Sequence, residues 1–368
     1  MDNRIQNMAR VLIRYSTEVR PGDRVLIRST SPAGEPLCQA LYAEALRAGG
    51  LPSVYMHMSQ EDAISLETSE NPDQLSYLNP MLKLMYDEAD VIIRIEAAEN
   101  VRDRSQYPVA LQRARALAHN RLIEIQMKRQ AAGTLRRCTT QFPTFGYAQN
   151  GGMSLRQYED FVFKACKVDL TDPVAAWKEV FSMHERLIDW LKGKHHLSVR
   201  SDHIELDMSI AGRVFKNAGG KENFPDGEIF TGPGENSVNG WVRFTYPAYY
   251  QGNEVKGVKL EFRDGRVVCA QAETNEDYLL SVLDTDSGSR TLGEFAIGTN
   301  RDITEFTGSI LFDEKIGGTV HMAVGQGYAE TGSTNRSAVH WDMICDMRQG
   351  GEITVDGELF YKDGEFVV

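Results

Sequence analysis

Six side chains in the second half of the chain are of types that bind metal or move protons: Glu228, Glu294, His321, Tyr328, His340 and Asp342. His340 and Asp342 stand two apart in "AVHWDMICDM", residues 338–347, a run that otherwise reads as a buried strand. Residues i and i+2 of a strand share a face, so an imidazole and a carboxylate project together from an apolar segment. "NFPDGEIFTGP" presents Glu228, "TLGEFAIGTN" presents Glu294, and "GGTVHMAVGQGYAETG" presents His321 and Tyr328. Each stretch is glycine-flanked and apolar apart from its one or two ligand-type residues. Burying a bare carboxylate costs several kcal/mol, and two Glu, two His and one Asp neutralise one another only in part. One or two divalent cations would satisfy them all. Taken singly, Glu228 and Glu294 could flank turns in solvent, His321 could be a hydrogen-bonded core histidine, and Tyr328 could simply pack. Their convergence in one half of the chain favours metal.

Other chemistries lack their residues. "HERLI" at 184–188 misses the second histidine of HExxH, and there is neither a G-x-S-x-G elbow nor a cysteine beside a histidine motif. His195 and His196 sit on a basic "KGKHH" stretch that reads as a solvated linker. His57, His119 and His184 fall in the first half, without ligand company.

The elements that must position these residues differ between the two halves. "DRVLIRS", "LPSVYMHM", "DVIIRIEAAE" and "LRRCTTQF" read as strands, separated by helical patterns over "EPLCQALYAEALRAGG", "NPMLKLMYDEA" and "YPVALQRARALAHNRLIEIQMKR". Strands alternating with helices imply right-handed crossovers and a doubly wound, Rossmann-like parallel sheet. "STSPAGEP" after the first strand has no GxGxxG or P-loop, so the half is expected to be a scaffold without nucleotide. Two helices broken at "DLTDP" follow, and "GKHHLSVRSD" reads as a hinge. Beyond it, alternating strands with Asp-Gly turns at 264–265, 356–357 and 363–364 imply a mostly antiparallel α+β domain, interrupted by one helix near "NEDYLLSVLDT". The expected division is 1–192 for the α/β scaffold and 193–368 for the metal-binding domain.

Composition fits a soluble globular protein of two domains, with 42% hydrophobic and 25% charged residues among 368. A net charge of -12 argues against nucleic acid or an anionic membrane as partner. The five isolated cysteines, with no CxxC, suit a reducing compartment, and the amphipathic, charged start is neither signal peptide nor anchor. The expected location is cytoplasmic.

The ordered set Glu228, Glu294, His321, Tyr328, His340, Asp342 resembles that of the M29 metallo-aminopeptidases, the aminopeptidase T and thermophilic leucyl aminopeptidase group. "VRPGDRVLI", "FPTFGYAQNGGMSLRQYEDF", "SIAGRVFKNAGGKENFPDGEIFTGP", "LGEFAIGTN" and "GYAETGSTNRSAVHWDM" extend the resemblance over most of the chain. It implies an α/β N-terminal domain that limits access and a C-terminal domain with two adjacent divalent cations (zinc, cobalt, manganese or magnesium). It also implies a homodimer built through the C-terminal domains, and short peptides with a free N-terminus as substrates. The implied ligands are Glu228, Glu294, His321, His340 and Asp342, with Tyr328 as the active-site tyrosine. Some members carry one more acidic ligand before the first histidine. Here that stretch is "FDEKIGGTVH", whose spacing differs, so Glu314 stays outside the expected set. The segment between His321 and His340 is also short beside the thermophilic members.

Amide hydrolysis at neutral pH needs an activated water and a polarised carbonyl, which two neighbouring cations supply. Bridging roles fall to Glu294 and Asp342, with Glu228 and His340 toward one ion and His321 toward the other. Tyr328 would donate to the oxyanion, and Glu228 or a carboxylate nearby would carry a proton to the leaving amine. The rival reading is a one-iron, ring-cleaving dioxygenase of dihydroxypyridines using His321, His340 and Asp342, for which Glu228 and Glu294 are superfluous. A non-catalytic metal-stabilised binding protein is a third class.

Overall fold

In the computed structural model, which describes residues 2–368, the chain forms two compact units. The first runs to Trp177 and takes in Gly220–Pro225; the second comprises Lys178–Gly219 and Asp226–Val368. The fold is mixed α/β.

Parallel strands form the frame of the first unit. They are β1 (Arg24–Ser29), β2 (Leu51–Met56), β3 (Val91–Glu96) and β4 (Arg136–Gln141), in the order β2-β1-β3-β4, as the alternating pattern implied. Leu26 and Ile92 are register partners and pack with Leu82 and Tyr86 of the Pro80–Glu88 helix and Leu122 of the Val109–Ala131 helix. Val25, Val91 and Ile93 are also buried, so both faces of the central strands are covered, as crossover helices require. The two-residue strand Asn223–Phe224 extends this sheet in parallel beside β4. That return was not legible, because two residues carry no periodicity.

The second unit holds an eight-stranded and a five-stranded sheet. At all three Asp-Gly turns both residues have positive φ, from Asp264 at 48° to Gly364 at 87°, the backbone that two-residue hairpins demand. The stretch read as a hinge is instead an ordered strand: His196–Ser201 pairs with Ile204–Ser209 and Glu352–Val355 inside the eight-stranded sheet. Its alternating burial of Leu197 and Val199 is a strand signal that the flanking basic residues masked. The five cysteines are free thiols. No helix among the described residues is long and apolar enough to cross a membrane.

Candidate metal centre

The five-stranded sheet of the second unit is the platform. Its order is His340–Asp346, Thr319–Gly325, Leu292–Gly298, Glu228–Thr231, Lys216–Ala218, and every neighbour runs antiparallel. Residues directly opposite in such a ladder share a face. Register therefore sorts the side chains. Glu294, Ala323 and Asp342 form one row, Ala296 and His321 the next, and Gly298 and Glu228 another, while His340 sits opposite Gly325. One face thus carries Glu228, Glu294, His321, His340 and Asp342 over a floor of glycine and alanine. Gly325 has φ 100°, and a Cβ there would stand 2.2 Å from the Val339 carbonyl oxygen. The opposite face carries Ile229, Phe295, Ile297, Val320, Met322, Val324, Trp341 and Met343, all in the core of the unit.

Glu294 reaches the platform through a defect in the ladder. Leu292 pairs with Val324 but Glu294 with Ala323, so Gly293 is an extra, bulged residue. In a regular strand Leu292 and Glu294 would share a face; the bulge turns leucine into the core and glutamate to the ligands.

Glu228, Glu294 and His321 are buried, at 6%, 4% and 1% exposure, so neither glutamate lies beside a turn in solvent. His340 Nε2 lies 3.2 Å from Glu294 Oε2 and 3.5 Å from Asp342 Oδ2. Its Nδ1 lies 2.8 Å from the Gln326 carbonyl oxygen and donates to it, which leaves Nε2 turned to the carboxylates. His321 Nε2 is 3.3 Å from Glu228 Oε2, close enough for an ion pair but not aligned as a hydrogen bond. The Tyr328 hydroxyl is 3.5 Å from His340 Nε2, and its ring meets those of His340 and Phe230 edge-on.

Glu314, outside the expected ligand set, belongs to the cluster. Ligand atoms of Glu294, His340 and Asp342 lie within 4.8 Å of one another, as do those of Glu314, His321 and Asp342. The two triads share Asp342. The signal for Glu314 was its acid-before-histidine position in "FDEKIGGTVH", at a spacing that differs from the family's.

Lys315 escaped sequence reasoning altogether. Its side chain is fully buried, with Nζ paired to Glu314, 3.8 Å from Glu228 Oε1 and 4.0 Å from Asp226 Oδ1. Nothing in "FDEKIGG" distinguishes such a lysine from a solvated one.

The electrostatics are those of a cation site. Burial drives Glu228 well above the usual carboxylate range even against the pull of Lys315, and burial likewise raises Glu294 against its hydrogen bond from His340. Burial opposes charge on His340, yet Asp342 and Glu294 outweigh it and lift its pKa to about 10. Glu228 Oε2, His321 Nδ1 and Asp342 Oδ1 are buried without a hydrogen-bond partner among the described residues. Orphaned ligand atoms of this kind cost roughly 1–3 kcal/mol each, and more when charged. Carboxylates and imidazoles aimed inward fit a divalent metal.

His184 is buried between Asn217 Oδ1 and Thr299 Oγ1, each at 2.8 Å. His195 and His196 are exposed.

The family model described as "Thermophilic metalloprotease (M29)" matches residues 1–366. The chain belongs to this family. It is 26% identical over 409 residues to "Aminopeptidase 2" of Geobacillus stearothermophilus, covering 99% of this chain and 95% of that protein. "Aminopeptidase T" of Thermus thermophilus is 31% identical over 237 residues, 57% of each chain. Among solved structures, wild-type AmpT from Thermus thermophilus superposes with a TM-score of 0.85 at 22% identity over 99% of both chains. The 2,5-dihydroxypyridine dioxygenase of Pseudomonas putida KT2440 has a TM-score of 0.59 at 14% identity, over 100% of this chain and 98% of that one. At these identities the structural likenesses speak for the fold alone. As an M29 member the chain is a metal-dependent peptide-bond hydrolase.

Proposed function

We propose that this M29 member is an aminopeptidase that releases N-terminal residues from short peptides, with two divalent cations held by Glu228, Glu294, Glu314, His321, His340 and Asp342. The observation that carries this reading is the pair of ligand triads sharing Asp342. A carboxylate has two oxygens and can serve two ions, whereas imidazole serves one. Charge supports the number: the five carboxylates Asp226, Glu228, Glu294, Glu314 and Asp342, offset by the one buried ammonium of Lys315, leave four negative charges for two dications. When bound, such a pair supplies an activated water, a polarised carbonyl and a docking point for a neutral α-amine.

The chain's own groups do the rest. The hydrogen bond from His340 Nδ1 to the Gln326 carbonyl fixes the ring's orientation. The Tyr328 hydroxyl, beside His340 Nε2, donates to the carbonyl oxygen as negative charge develops on it. Glu228, with one oxygen toward His321 and the other toward Lys315, carries the proton to the departing amine. The glycine and alanine floor leaves room for the peptide backbone. A one-iron reading is less well supported: His321 and His340 fall in separate triads among the described residues, and Glu294 and Glu314 exceed a facial triad's needs.

The test measures metal content per chain and hydrolysis of leucyl-glycine and N-acetyl-leucyl-glycine on the same sample. Two equivalents of divalent metal, with cleavage of the unblocked dipeptide only, are expected. Activity that survives exhaustive chelation, or a single iron with oxygen consumption, overturns the reading.

A further inference from the structure

The first unit contains a cleft of about 1000 Å³ at the carboxyl ends of β1, β2 and β3. The order β2-β1-β3 puts it where successive crossovers diverge, the place at which open parallel sheets receive ligands. Arg28 of β1 and Arg94 of β3 are register partners, so their side chains leave the sheet on the same face, and both line the cleft.

Arg28 is only 6% exposed, and its contacts are with uncharged groups. Nη1 donates to the Tyr86 hydroxyl at 2.8 Å, while Nε and Nη2 reach His57 Nε2 at 3.2 and 2.9 Å. A guanidinium can only donate, so His57 Nε2 carries the lone pair and Nδ1 the proton, which faces Glu61 Oε1 at 3.1 Å. Among the described residues no carboxylate pairs with Arg28. Two of its five N–H donors, after these three bonds, remain unspent. A buried cation without a counter-charge is costly, and an incoming carboxylate offsets that cost. Arg94 spends Nη1 on His119 Nε2 at 3.1 Å and has Glu96 Oε1 2.6 Å from Nε. Burial and the two arginines push His119 down to about 3, so it accepts without adding charge.

The lining also limits what the carboxylate belongs to. Four arginines face six carboxylates around the cleft, a balance that repels a dianionic phosphate. The loop after β1 offers no glycine-rich cradle, and the next helix opens with Glu35. A single carboxylate with an ammonium attached suits the balance, because the rim presents Glu99, exposed and without a cation partner among the described residues. Tyr55, Tyr77 and Leu82 supply apolar wall for a side chain. We propose that this cleft binds a small zwitterion of the free amino-acid class, its carboxylate on Arg28 and Arg94. Binding here does not depend on the metal centre; under the aminopeptidase reading, the ligands are of the class that the enzyme releases.

Calorimetric titration of the full chain with leucine, glutamate, arginine and inorganic phosphate tests this, alongside the full chain carrying His340→Ala. At least one amino acid should bind with one site per chain to both proteins, and removing either its carboxylate or its ammonium should weaken it. Arg28→Gln and Arg94→Gln should each lower affinity roughly tenfold or more, the loss expected for a charge-assisted bond. Should buried Arg28→Gln fail to fold by circular dichroism, the half-buried Arg94 carries the test. Binding of phosphate alone, no amino acid bound at millimolar concentration, or binding abolished by His340→Ala but indifferent to the arginines would each overturn the proposal. Intact binding in a chain that hydrolyses no peptide would instead sink the peptidase reading and leave this one standing.

Discussion

Asp342 and Trp341 are neighbours in sequence and opposites in role. Asp342 belongs to both ligand triads, while Trp341 is 1% exposed in the core, with its ring 5.3 Å from that of Tyr250. Asp342→Asn keeps the shape and removes the one charge common to both triads, so metal content and hydrolysis should fall together while circular dichroism stays unchanged. Trp341→Ala should do the reverse, costing about 3–5 kcal/mol in urea unfolding with metal retained at low temperature. If Asp342→Asn keeps full metal and turnover, the pair on this strand is structural. Strand alternation made that pair legible. Lys315 was not legible, since a lysine's burial depends on which carboxylates the fold brings to it. Removing one member of a buried ion cluster costs about 3–5 kcal/mol, so Lys315→Met should destabilise strongly. Adding Asp226→Asn should restore part of the loss; a double variant no more stable than the single one would show that Lys315 does not compensate Asp226.

At the level of elements, alternation placed His340 and Asp342 correctly, and Asp-Gly pairs marked the hairpins. Two things defeated the same logic. The bulge at Gly293 inverts strand parity, so alternation alone would set Glu294 on the core side with Leu292, and it was the company of other ligand-type residues that marked it. The spacing from Glu314 to His321 kept this acid out of the expected set, and tertiary folding brings the two together. Two carboxylates tie down the segment from Tyr328 to Ser337: Asp286 accepts from Ser337 Oγ at 3.0 Å, and Glu235 holds the stretch before it. Glu235 pairs with Arg213, accepts from Thr334 N at 2.6 Å and from Ser333 Oγ at 3.3 Å, and Arg213 in turn holds the Gly332 carbonyl. Burial alone would raise Glu235, but Arg213 and the Thr334 N–H pull it from 4.5 to about 2. A depressed folded-state pKa stabilises above the unfolded value and is lost as pH falls toward the folded one. Glu235→Gln should therefore lower the urea midpoint at pH 7, and its deficit against the unmutated chain should shrink between about pH 4.5 and pH 2. A deficit that does not change with pH would mean that Glu235 acts by packing alone.

Across the whole molecule, sequence texture separated a parallel α/β part from an antiparallel one, but not the path between them. The helix Pro173–Leu191 contains the junction at Trp177 and Lys178, and residues 220–225 return to the first unit. A junction inside a continuous amphipathic helix leaves no composition shift to read, so the expected boundary fell at the basic stretch beyond it. Assembly is the remaining question at this scale. Under the proposed aminopeptidase reading, a centre open to every chain end would attack the termini of folded proteins, so a barrier is expected. The homodimer through the C-terminal domains that the family resemblance implies would be such a barrier, and we propose it here. The expected sedimentation mass at micromolar concentration is therefore twice 41.3 kDa. Dipeptides and tripeptides should be cleaved, and a folded protein with an exposed N-terminal leucine left intact until denatured. A monomer of unchanged activity at that concentration would refute the dimer, and trimming of the folded protein at the dipeptide rate would refute the barrier.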